Sequence, residues 1–148
     1  EAVCQRLHTA SLRTVVIGPD PRLTAKSVIS ILDTLEVRWA LLVGDRLGGE
    51  LAWELAATRL DRFIGLVVID RGHPRVADLA GVIRDEHCPP VELNTTALVS
   101  TSAARAVAKA SQRFIYGEYR IVELLGRRNA ADSTAQLAAE IVMRTSTW

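Results

Sequence analysis

The sequence predicts a single α/β domain: a mainly parallel sheet with helices on both faces. Three observations lead there. Short runs that are apolar at every position, such as RTVVIG at 13–18 and FIGLVVI at 63–69, alternate with stretches whose apolar residues recur at helical spacing. A strand that is apolar on both sides must be covered on both sides, which is the condition of a parallel sheet between helix layers. The chain has 148 residues, enough to bury one core and too few for two domains. Its apolar content of 49% excludes a disordered chain.

Taken in order, strand 13–18 stops at Pro19-Asp20-Pro21. A helix follows over about 23–35, with Val28, Ile31, Leu32 and Leu35 on one face. Next come a strand over 39–44 and a helix from Gly48 to about Leu60, whose buried stripe is Leu51, Ala52, Leu55 and Ala56. Strand 63–69 is closed by Asp70. The stretch 71–90 reads mostly as loop, with room for a short helix around 76–84, and a weaker strand lies somewhere in 91–99. An alanine-rich helix over 102–111 and a strand over 119–124 lead to a final helix from Ser133 to about Arg144. Ser133 and Gln136 have capping-box spacing, and Leu137, Ala138, Ile141 and Val142 form that helix's apolar face.

Composition also sets what not to expect. A net charge of +1, with charges scattered, leaves no footprint for nucleic acid. No apolar run approaches the ~20 residues that span a bilayer. The start of the sequence, 1–7, lacks the apolar segment of a secretory signal. Cys4 and Cys88 have neither metal nor redox spacing and read as thiols of a reducing cytoplasm. Asp85-Glu86-His87-Cys88 is a run of ligand-type residues, but four consecutive side chains cannot all face one ion. Neither a metal nor an organic cofactor is expected, and no membrane or nucleic-acid partner. Trp39 and Trp53 read as packing residues, and Ser100 and Ser102 as caps of the helix at 102–111.

One stretch stands out. In LLVGDRLGGELAWEL, 41–55, a buried strand meets Gly44, turns at Asp45-Arg46-Leu47 and leaves through Gly48-Gly49 into a helix. In open α/β sheets ligands sit beyond the carboxyl ends of the strands, so this turn lies where a site belongs. The hexapeptide GDRLGG resembles the nucleophile elbow of the α/β-hydrolase superfamily, G-x-Nu-x-G in its common form GHSLGG. The neighbours TVVIGPDPR, ILDTLEVRWALLVG and LAWELAATRLDRFIGLVVID resemble the segments before and after that elbow. TSAARAVAKA and YRIVELLGRRNAADSTAQLAAEI resemble the later helix, last strand and final helix of the same fold.

The resemblance implies an α/β-hydrolase-like core that lacks the family's first strands and a lid. The strand the family places between 13–18 and 39–44 would be missing. Either those two pair directly, or another chain supplies the strand, or the sequence is a piece of a longer protein. Direct pairing would expose the edge of 13–18, an invitation to homodimerisation.

The resemblance also implies a nucleophile, a carboxylate and a histidine, and all three positions are vacant. They fall on Arg46, Thr96 and Asn129. A guanidinium cannot be deprotonated in a protein. No Asp or Glu occurs between Leu93 and Gly117, and no histidine follows His87. The expected protein is therefore a pseudoenzyme that binds a small, anionic ligand or a protein partner.

Arg46 beside a helix N-terminus would grip carboxylate or phosphate, with Asp45, Leu47, Asp70 and His73 around it. The plainer reading of Arg46 is an ion pair with Glu50 or Asp45. Two other functions stay open. One is an ester hydrolase whose chemistry has moved to Asp70 and His73. The other is an assembly protein completed by another chain.

Overall fold

The structure is a computed structural model that describes residues 23–45, 47–124, 137–139 and 141. Helix α1 (Ala25–Thr34) opens on Thr24, whose hydroxyl accepts the Ser27 N–H at 3.2 Å. Its Val28 and Leu32 are buried. It ends one residue short of the sequence expectation because the chain reverses: Val37 donates to the Leu32 carbonyl at 2.8 Å, with Glu36 in the left-handed region at φ 59°. Strand β1 (Ala40–Asp45) follows, then helix α2 (Leu47–Thr58), a single 3₁₀ turn (Leu60–Arg62) and strand β2 (Phe63–Ile69). Strand β3 (Thr95–Val99), helix α3 (Ser102–Ser111), the 3₁₀ turn Gln112–Phe114 and strand β4 (Tyr119–Glu123) complete the series.

Among the described residues the sheet has four strands in the order β1-β2-β3-β4, every neighbouring pair parallel. Its two faces are both apolar, as the unbroken apolar runs required. Leu66 and Val68 of β2 and Ala97 and Val99 of β3 face Ala52, Trp53 and Ala56 of α2 and Ala104 and Ala108 of α3. Val67, Ile69 and Leu98 face the other way, onto Ala138 and Ile141 of the final helix. Against the sheet α2 and α3 present mainly small residues and one large side chain, Trp53, which is fully buried.

Several expectations are corrected. The region 76–84 is not helical. The Asp78 carboxylate accepts the Ala80 and Val82 N–H groups, both at 2.9 Å, and Gly81 sits at φ 81°. An aspartate that takes the local amides for itself competes with the helix. Trp39 is 62% exposed and packs no core. The cap of α3 is Thr101, which accepts the Ala104 N–H at 3.0 Å; Ser102 is the helix's first residue, and Ser100 has another role, described below. Strand 13–18, Asn129 and the start of the final helix lie outside the described residues.

Candidate site at the carboxyl ends of the strands

β1 ends at Asp45 and α2 begins at Leu47, so the sequence allots one residue, Arg46, to the junction. Arg46 itself and the side chain of Leu47 lie outside the described residues. What surrounds them explains the glycines. A Cβ on Gly44 would fall 2.6 Å from the Gly49 Cα, 2.7 Å from the Gly48 carbonyl oxygen and 2.8 Å from the Ala52 Cβ. Strand end and helix start touch backbone to backbone, and only glycine leaves space for that. Asp45 is exposed and stands level with Ile69 of β2.

Asp70, the next residue along β2, is held at φ 57°, a region that costs a non-glycine residue energy but that aspartate tolerates better than most. Its N–H donates to the Leu98 carbonyl at 3.0 Å, extending the ladder by one rung. Its carboxylate accepts the Ser100 N–H at 2.8 Å and the Ser100 hydroxyl. Asp70 thus ties the end of β2 to the end of β3. Sequence reasoning assigned Ser100 to a cap; its position directly after TTALV was the available signal that it stands at the rim. Thr96, matched in the sequence to the family's acid position, is fully buried inside β3 between Val67 and Arg120, and the first residue beyond the strand is Ser100.

His73 sits three residues past Asp70 but does not line an open cleft. It is fully buried. Its N–H donates to the Ser111 hydroxyl at 3.0 Å, and its Nδ1 accepts the Arg75 N–H at 3.1 Å. Since Nδ1 accepts, the ring proton is on Nε2, which donates to the Pro89 carbonyl at 2.7 Å. The ring stacks on Phe114 with centroids 4.9 Å apart and meets Trp53 edge-on at 5.7 Å. Burial lowers its pKa below 6.5; the Pro89 bond opposes this, the Arg75 and Arg84 charges add to the lowering, and Asp85 acts weakly against it. Both ring nitrogens are committed to backbone.

The first turn of α2 carries Glu50, which ion-pairs with Arg84 at 3.5 Å and Arg71 at 3.9 Å. Arg71 also donates to the Asp70 carbonyl, and its own carbonyl accepts the Trp53 indole N–H at 3.2 Å. Glu50 therefore already has two cationic partners besides any pairing with Arg46.

Cys88 is a free, buried thiol whose pKa burial pushes up to about 11, so it is not a nucleophile at neutral pH. Its neighbours Asp85, Glu86 and His87 are exposed, and among the described residues no group of three or more His, Cys, Asp and Glu is placed to hold a metal. Nor is any described helix long and apolar enough to cross a membrane.

The parallel sheet with helices on its faces agrees with what comparison finds. No protein-family model and no curated protein sequence matches the chain. Solved structures do. Mouse alpha/beta hydrolase domain-containing protein 10 superimposes with a TM-score of 0.66 at 18% identity, over 96% of this chain and 81% of that one. NosK from Streptomyces actuosus gives 0.66 at 17% identity, over 99% and 91%. A hydrolase from Pseudomonas aeruginosa PA01 gives 0.55 at 18% identity, over 84% and 74%. The chain has the α/β-hydrolase fold.

Proposed function

We propose that this protein is a pseudoenzyme on an α/β-hydrolase frame: it binds a small anionic ligand at the elbow and does not hydrolyse it through the family's triad. The observation that carries the reading is the vacancy of both proton-handling roles. The elbow residue is Arg46, permanently cationic. Among the described residues the histidine close to the rim is His73, which is buried with each ring nitrogen bonded to backbone. A general base must reach the proton it abstracts, and this imidazole would first have to give up one of those bonds. That argues against moving the chemistry to Asp70 and His73.

The free amides at the N-terminus of α2 favour an anion, and a guanidinium beside them adds a bidentate grip. Asp45 and the Asp70–Ser100 pair at the same rim carry negative charge, so the attraction for an anion rests on Arg46 and the start of α2 alone.

The test is a thermal-shift screen of small carboxylates and phosphate monoesters on the wild type and on Arg46→Ala. Stabilisation of the wild type that Arg46→Ala loses is the expected result; identical hits in both proteins would end the anchor. In parallel, p-nitrophenyl esters should show no turnover above buffer. Turnover abolished by His73→Ala would replace this reading with an active hydrolase.

A further inference from the structure

His73 is the hub of the segment between β2 and β3, and only one of its protonation states fits. Three polar contacts converge on this residue: its N–H to Ser111, Nδ1 from the Arg75 N–H, and Nε2–H to the Pro89 carbonyl. Arg75 and Pro89 lie near the two ends of the segment 71–90, so the ring closes it into a loop. The ring stacks on Phe114 of the Gln112–Phe114 turn and meets Trp53 of α2 in an edge contact. The charges facing it are mostly of one sign. Arg75 and Arg84 come from its own segment, and Arg113 lies over the same Phe114 ring at 4.8 Å. Asp85 is the carboxylate acting on it, while Glu54 of α2 acts on the neighbouring Cys88 and Glu50 is engaged with Arg71 and Arg84.

We propose that His73 is a proton-operated latch: a proton taken up on Nδ1 removes the acceptor of the Arg75 N–H, sets an imidazolium among arginines, and releases 71–90 from α2 and the Gln112–Phe114 turn. The closed form binds one proton fewer than the open one. Closure is complete above the ordinary histidine value of 6.5 and is lost as pH falls from there through the lowered value of the buried ring. The latch is independent of any ligand at the elbow.

The experiment is amide hydrogen exchange by NMR on the intact chain from pH 7.5 to 5, corrected for intrinsic rates. Protection of the His73, Arg75 and Val76 amides should fall by up to about tenfold per pH unit below 6.5, the limit for one proton. Val67 and Val68 in the centre of β2 should keep theirs. His73→Gln should lose the pH dependence and His87→Gln, altering an exposed imidazole, should retain it. Unchanged protection at Arg75 down to pH 5, or a parallel fall at Val67, would overturn the latch. If His73→Gln does not fold, the ¹⁵N titration of the wild-type His73 ring decides. Protonation at Nδ1 must track the loss of Arg75 protection, and a mismatch would overturn the proposal.

Discussion

The elbow between β1 and α2 and the segment between β2 and β3 both lie at the carboxyl-end rim of the sheet, yet they are held by opposite means. The elbow is held by absence: Gly44 and Gly49 bring two backbones together, and no side chain of ordinary size could replace the contact. The segment 71–90 is held by presence, through Trp53, His73 and Asp78, each of which binds backbone groups that have no partner in a helix or ladder. Steric closure of this kind is rigid and insensitive to solvent conditions. Side-chain closure can be undone by a proton or a single truncation.

Substitutions can break that comparison or sharpen it. The largest effect should come from Gly44→Ala, whose methyl would collide with three atoms within 2.8 Å, two of them backbone. Overpacking there should cost about 3 kcal/mol, read as a lower denaturant midpoint. A wild-type midpoint would show that strand and helix can separate, and the elbow would not be sterically locked. Trp53→Phe keeps most of the packing and deletes the bond to the Arg71 carbonyl; a loss of about 1 kcal/mol is expected, with faster exchange at His73 and Arg75 than in the core.

Gly48→Ala separates the two elbow glycines. A Cβ there meets nothing within 4 Å, so the substitution should stabilise α2 by about 0.5 kcal/mol in a thermal melt. Destabilisation instead would mean that the helix start is also packed tightly.

The smallest effect concerns the Asp78 turn. Its carboxylate is held below the usual value of 3.8, first by the Val82 N–H and further by the Ala80 N–H and the Arg84 and Arg71 charges, against a partial desolvation cost. The sign follows: the turn has its full support above 3.8 and loses it as pH falls through the lowered value. Exchange at Ala80 and Val82 should therefore quicken only in strong acid, well below the pH at which the His73 bonds give way. Loss of both at one pH would merge the two devices into one.

Much of the frame is legible in the sequence. Strand 63–69 and helix 102–111 were placed to the residue because their patterns are local: seven successive apolar positions in one and helix-periodic alanines in the other. The elbow was legible for the same reason, since backbone contact demands glycine and glycine is visible in a sequence. Region 76–84 departs from its helical expectation because an aspartate that folds back on its own amides looks, in one dimension, like any residue of a short polar helix. Trp39 and Trp53 looked alike too, and which one filled the core depended on what α2 was packed against.

The sequence by itself determined the order of strands and helices, the two-sided burial of the central strands and the tight turn after β1. Each of these follows from residue type and spacing along the chain. Only the tertiary structure decided that Asp70 belongs to Ser100, that Glu50 belongs to Arg71 and Arg84, and that His73 is sealed between Trp53 and Phe114. These partners lie up to 41 residues apart in the chain. A hydrogen bond or an ion pair is specified by distance in space, and folding sets that distance through a core whose apolar pattern carries no record of which polar groups will meet at its rim.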